Sequence, residues 1–210
     1  MSHPTPAAIL SDLDGVLVDS GDSIEVTWSA WARSQGIEPA VLHGRIHGRP
    51  AADVIREIAP ELDAVAEAAV VSQMDIDGPP ATLLPGAREL LGDTIGVPVA
   101  VVTSCPDALA RVRLGAVDLP LPAVLVTADR VRVGKPDAEG YLLAARELGV
   151  DPTKCVVFED APAGITAGRA AGARAIAIAT THAREELGAA DAIVDSVTDA
   201  LALLGLEPEL

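Results

Sequence analysis

Short runs of uninterrupted apolar residues punctuate the chain at 7–10, 97–102, 123–126, 155–158 and 175–179, and a last, shorter one lies at 192–194. Each is too short for a helix and too continuously apolar for a strand with one wet face, so each predicts a strand buried on both sides of a parallel sheet. After most of these runs the pattern changes. Segments 107–114, 137–148 and 162–171 return to helical spacing after a strand, and 86–93 does so before one. Strands that alternate with helices in this way predict an α/β fold, a parallel sheet covered on both faces. In such sheets ligands bind at the carboxyl ends of the strands, beside the point where the strand order reverses.

One interval breaks the alternation. Between residues 19 and 79 no strand is expected, and helical pieces follow one another instead. Ile24, Trp28 and Trp31 fall at i, i+4 and i+7, on one face of a helix that Gly36 ends. Further helices are expected at 40–46, at 51–59 after Pro50, and at 61–74. A strand-free run of that length exceeds a simple crossover and predicts an inserted all-helical unit. The reading therefore divides the chain into a core of residues 1–18 and 80–210 and a helical insert of residues 19–79. Asp19-Ser20 and Gly78-Pro79-Pro80 are the hinge-like connections.

Composition narrows the picture. Half of the 210 residues are hydrophobic, yet the aromatics are only Trp28, Trp31, Tyr141 and Phe158, so the core must be built from Ala, Val, Leu and Ile. A formal charge of −16 argues against nucleic acid and against anionic membrane surfaces, both of which select clustered Lys and Arg. A small anionic ligand held by local positive groups remains open. Cys105 and Cys155 have no metal-site or disulfide spacing and are expected to be reduced. The first residues carry no leader pattern, and no segment approaches the ~20 apolar residues of a membrane span. A soluble, cytoplasmic protein is expected; the oligomeric state is open, and a monomer is compatible with the sequence.

The chemistry gathers where the predicted strands end. Asp12, Asp14 and Asp19 follow the first run, Thr103 and Ser104 the second, Thr127 and Asp129 the third, and Glu159 and Asp160 the fourth. Carboxylates at the end of a buried strand repel each other and lose hydration unless a cation, a proton or a reacting group compensates them. Asp12, Asp14, Glu159 and Asp160 together form an all-oxygen donor set suited to Mg²⁺. Ser104, with Asp107 three residues on, is expected to cap a helix whose free amides also suit a phosphate. Lys135 precedes Pro136, the expected first residue of a helix, where a cation opposes the macrodipole and implies a negative partner. His43 and His47 have metal-pair spacing but no third ligand, and zinc is not expected. Arg45, His47 and Arg49 stand out as a basic cluster in an acidic chain.

Taken together, DLDGVLVDS, the Thr after the second strand, GKP and FEDAPAGI resemble the haloacid dehalogenase superfamily, over essentially the whole chain and in that family's order. The helical insert directly after the first motif is similar to the small cap of the subgroup containing beta-phosphoglucomutase and many sugar-phosphate phosphatases. The resemblance implies a Rossmann-like, doubly wound core. It makes Asp12 a nucleophile that forms an aspartyl-phosphate and Asp14 the general acid and base. It implies Mg²⁺ held by Asp12, Asp160 and the carbonyl of Asp14, with Glu159 assisting, and phosphoryl oxygens held by Thr103, the Ser104 amide and Lys135. Dehalogenation is disfavoured, because dehalogenases lack an Asp at the position of Asp14.

Two departures weigh against a mutase. Beta-phosphoglucomutases carry a His where this chain has Ile24, and a phosphate-binding Arg where it has Ala51. The resemblance thus implies a phosphatase acting on a small sugar or polyol phosphate, with Arg49 and His47 in the cap selecting the substrate. A beta-phosphoglucomutase-like phosphomutase is the alternative. A phospho-Asp signalling module is a third reading, disfavoured because a switch has no use for the acid and base Asp14.

Overall fold

The computed structural model describes residues 5–92 and 94–206. The first four residues, on which the expectation of a leaderless start partly rests, and Asp93, the expected end of one helix, lie outside the described residues.

In chain order the elements are β1 (Ile9–Ser11), β2 (Val18–Asp19), α1 (Gly21–Ser34), α2 (Ala51–Ile58), α3 (Ala64–Ile76), β3 (Thr82–Leu83), α4 (Ala87–Leu91), β4 (Val99–Val102), α5 (Asp107–Ala116), β5 (Val124–Val126), α6 (Glu139–Leu148), β6 (Val156–Glu159), α7 (Pro162–Ala170), β7 (Arg174–Ile178), β8 (Ala192–Val194) and α8 (Val197–Leu204). The main sheet has six strands in the order β5-β4-β1-β6-β7-β8, with every neighbouring pair parallel. The chain builds outward from β1 to β5, then returns to the other side of β1 with β6. That reversal at β1 is where two consecutive loops diverge and open a crevice.

Side-chain alternation sorts the strands onto two cores. Ile9, Val101, Phe158 and Ile176 pack on one face against α5 and α8, while Leu10, Ala100, Val102 and Val157 pack on the other against Tyr141 and Ala144 of α6 and Ala167 of α7. Three layers result, as the continuous apolar runs require. Gly164 and Gly168 let α7 lie close on β6: a Cβ on Gly164 would sit 1.8 Å from the Glu159 carboxylate, and one on Gly168 3.0 Å from Val157.

Helices α1, α2 and α3 carry a third cluster of their own, with Trp28, Trp31, Leu42, Val54, Ile55 and Val71 at its centre. Trp28 and Trp31 meet edge to face, and the Trp31 indole donates to Glu67 at 2.8 Å. Asp63 caps α3 by accepting from the amides of Val65 and Ala66.

Several local expectations are corrected. The helix at 40–46 is a single 3₁₀ turn at Pro39–Leu42, because Gly44 and Gly48 adopt positive φ and break any helical run. Ser104 is not a helix cap: Pro106 occupies that position in α5, and the Ser104 hydroxyl instead donates to the Gly48 carbonyl. Pro136 does not begin a helix, since α6 starts at Glu139. Three elements were not anticipated. β2 and β3 form an antiparallel ribbon where the insert joins the core, pairing Val18 with Leu83. α8 is capped by Ser196, and its Ser-x-x-Asp start and its apolar residues at 197, 200, 201 and 204 were a legible signal.

Candidate active site

Asp12 follows β1 directly, and its amide donates to the Phe158 carbonyl at 2.9 Å, so the adjacent strand fixes the backbone that carries it. The loop then turns sharply at Gly15, φ +75, where a Cβ would lie 2.1 Å from Asp160 Oδ2. Only glycine fits that close approach. Asp12, Glu159 and Asp160 thereby come together, each offering a carboxylate oxygen within 4.8 Å of the others, all three buried.

Lys135 reaches into this group from the loop before α6. Its ammonium lies 2.8 Å from Asp12 Oδ1, 2.5 Å from Glu159 Oε1 and 3.0 Å from the Val102 carbonyl. The negative partner inferred from its position is therefore a pair of carboxylates. Burial works against its charge, but Asp12 and Glu159 outweigh that and hold its pKa above the ordinary lysine value. Glu159 is fully engaged: Oε1 also accepts from the Tyr141 hydroxyl at 2.6 Å, and Oε2 from the Asp160 amide at 3.2 Å.

Three carboxylates surround one ammonium, so two negative charges lack a counterion. Burial first and the Glu159 charge second push the Asp12 carboxyl up to about 7, with Lys135 pulling the other way. The same causes raise Asp160 well above the usual carboxylate range. Asp160 Oδ2 accepts from the Thr181 hydroxyl, while Oδ1 is buried with no hydrogen-bond donor among the described residues. An orphaned carboxylate oxygen, hard oxygen donors and a deficit of two positive charges fit a divalent cation such as Mg²⁺.

Thr103 is buried at the end of β4, where its oxygen accepts from the Cys105 amide at 3.2 Å. Asp14 stands two residues after Asp12, its Oδ1 accepting from the Ser20 hydroxyl at 2.6 Å and its Oδ2 facing Arg113 at 2.5 Å. Both Arg113 and Asp75, its second partner, escaped the sequence reading. The available signal was an arginine on the same helix face as Leu109, Ala110 and Leu114. A cation on an apolar face implies a buried partner.

The helical insert comes down over these strand ends. Gly48, φ +71, touches Ala161, where a Cβ would approach to 2.7 Å, and Pro50 packs on Gly134. Between the two units lies a cavity, partly open to solvent, that reaches from Asp12 and Thr103 to Trp28, Ser72 and Asp75. His47 and Arg49 both line it. The basic cluster is less free than its composition suggests, because Arg45 and Arg49 share Glu57, at 2.7 and 2.9 Å. His47 is 4.0 Å from Glu25, and its ring meets that of His182 at 6.0 Å. Burial and then His182 lower its pKa.

The model of a family described as haloacid dehalogenase-like hydrolase matches residues 6–172. The chain is 41% identical to hexitol phosphatase A of Escherichia coli over 194 residues, covering 90% of each protein. It is 38% identical to validoxylamine A 7'-phosphate phosphatase of Streptomyces hygroscopicus, covering 90% of this chain and 93% of that protein. Among solved structures, beta-phosphoglucomutase from Clostridium difficile superposes with a TM-score of 0.79 at 22% identity, covering 92% of both chains, a likeness of fold.

Proposed function

The chain belongs to the haloacid dehalogenase-like hydrolases and is a phosphoric monoester hydrolase; from that premise we propose that it is a Mg²⁺-dependent phosphatase that hydrolyses a small sugar or polyol phosphate through an aspartyl-phosphate on Asp12. The observation that carries the reading is the buried cluster of Asp12, Glu159 and Asp160 around Lys135 at the floor of the cavity. Residues 1–18 and 80–210 form the catalytic core in this reading, and residues 19–79 form a cap.

Asp12 attacks phosphorus, the P–O bond to the substrate breaks, and Asp14 gives its proton to the departing alcohol. Asp14 then takes a proton from the water that hydrolyses the phosphoenzyme. Two carboxyl groups two residues apart can hold these separate tasks, one at phosphorus and one at the leaving oxygen. Thr103 and the Ser104 amide bind the phosphoryl oxygens at the end of β4. All three Lys135 donors are directed at protein acceptors, so it serves the phosphoryl group by holding Asp12 in line and ionised. Asp12, Asp160 and the Asp14 carbonyl would hold the metal, with Glu159 assisting through its contacts with Lys135 and the Asp160 amide. Bound there, Mg²⁺ would neutralise phosphate charge and favour the ionised nucleophile.

The relatives' names, hexitol phosphatase A and validoxylamine A 7'-phosphate phosphatase, support a polyhydroxylated leaving group. The cavity would offer it Trp28 as an apolar wall and Ser72, His47 and Arg49 as polar groups. The test is phosphate release from a panel of hexitol, polyol and sugar phosphates with and without Mg²⁺, with isomer products followed in the same samples. Release should require Mg²⁺, and Asp12→Asn should lower kcat by at least about 10³-fold. An isomer appearing faster than free phosphate, or normal turnover by Asp12→Asn, overturns the proposal.

A further inference from the structure

The chemistry above leaves Arg113, in the cavity wall, without a task. Arg113, 5% exposed on α5, joins two carboxylates that belong to different parts of the chain. Its Nη1 lies 2.5 Å from Oδ2 of Asp14 in the loop after β1, and its Nη2 lies 2.5 Å from Oδ2 of Asp75 on α3 of the helical insert. The Asp75 side chain is 8% exposed, and its Oδ1 accepts from the hydroxyl of Ser23 on α1. One carboxylate would compensate the arginine's charge. The second makes the position of the guanidinium depend on where the insert sits.

A planar guanidinium fixes direction as well as distance, which a point-like ammonium does not. Arg113 occupies Oδ2 of Asp14, and the small Ser20 hydroxyl occupies Oδ1 at 2.6 Å. Oδ1 is therefore the oxygen able to exchange its partner for the ester oxygen of a substrate, while Oδ2 stays anchored.

We propose that Arg113 is a positioning residue: it aims Oδ1 of Asp14 at the leaving-group oxygen, and its brace on Asp75 makes that aim depend on the insert being seated over the core. The inference rests on the reading of Asp14 as the acid. In the step concerned, the Asp12 carboxylate bonds to phosphorus, the P–O bond to the alcohol breaks, and the proton on Oδ1 of Asp14 passes to the departing oxygen. A misaimed Asp14 then harms esters of basic alcohols and spares esters whose leaving group departs unprotonated.

The experiment compares kcat/KM for a hexitol 1-phosphate and for p-nitrophenyl phosphate, in the presence of Mg²⁺. This constant covers events only up to release of the alcohol or phenol, so the later attack of water does not enter. Arg113→Lys keeps a buried cation but loses the fork; Asp75→Asn cuts the brace while leaving the contact to Asp14; Asp14→Asn sets the full size of the selective effect. Thermal unfolding of each variant verifies folding. General acid catalysis contributes roughly 10²–10⁴-fold, so Arg113→Lys should lose at least about tenfold more on the hexitol ester than on the nitrophenyl ester, and Asp75→Asn should lose selectively by a smaller factor. Equal losses on both esters, or no loss on either, overturn the role of Arg113. Equal losses in Asp14→Asn overturn the acid assignment beneath it, and a wild-type protein that hydrolyses neither ester overturns the phosphatase reading.

Discussion

At the residue scale, the site is governed by how few donors serve how many buried carboxylates. Lys135 divides its three N–H groups between Asp12, Glu159 and the Val102 carbonyl, and the Tyr141 hydroxyl completes the set on Glu159. The sequence indicated Lys135 through its misfit with the helix dipole and the acids through their place after apolar runs. It gave no comparable signal for Tyr141, whose side chain is at home in an apolar core until its hydroxyl is seen. Gly15 is constrained twice, by its backbone conformation and by the carboxylate beside it. Gly15→Ala meets both a left-handed backbone, φ +75, and the Asp160 carboxylate. The left-handed conformation alone costs an ordinary residue about 1–2 kcal/mol. A lowered melting temperature together with a loss of phosphate release is expected, because Asp160 must move to admit the methyl group.

At the element scale, the insert stands on its own aromatic centre. Trp31 is fully buried, and its loss to alanine should cost about 3–5 kcal/mol in denaturant unfolding. Trp31→Phe keeps most of the volume but leaves Glu67 without its indole donor, and a loss of about 1 kcal/mol is expected from the same measurement. The helical periodicity of 24, 28 and 31 was enough to foresee α1 and its inward face. The segment 40–46 does not form the expected helix because Gly44 and Gly48 hold positive φ, a backbone that turns the wrong way for a helix. Gly48 also carries the contact to Ser104, which the expected cap role concealed: a hydroxyl three residues before Asp107 looks like a local partner, while its acceptor lies in the insert. Ser104→Ala should leave unfolding nearly unchanged and raise KM for the phosphate ester, since it frees the loop that carries His47 and Arg49. Unchanged steady-state kinetics would argue against that contact as a seat for the insert.

At the scale of the whole molecule, charge sets the conditions under which the protein holds together. Folding raises the Asp12 carboxyl from its ordinary 3.8 to about 7, so the native state binds more protons than the unfolded chain across that interval. The stability this contributes is full below the lower value and is lost as pH rises through the upper one. Without metal, the melting temperature should therefore fall as pH rises from about 4 to about 7, the interval between the unfolded and folded values of the Asp12 carboxyl. Asp12→Asn should flatten that fall. Mg²⁺ should raise the melting temperature more at the higher pH, by the equivalent of about 2.7 kcal/mol at a hundredfold excess over its Kd; an equal rise at both pH values would count against the cluster as the metal site. The alternation of apolar runs and helical segments, read in the sequence alone, determined the parallel sheet, the helical insert and the strand ends at which Asp12, Thr103, Glu159 and Asp160 would gather. It could do so because burial on both faces of a strand, and on one face of a helix, is written in residue spacing. Only the tertiary structure decided that Arg113 joins Asp14 to Asp75, that Glu159 is spent on Lys135 and Tyr141, and that Ser104 holds Gly48. Those partners lie tens of residues apart and meet only once the layers have packed, and no local pattern records which buried charge finds which.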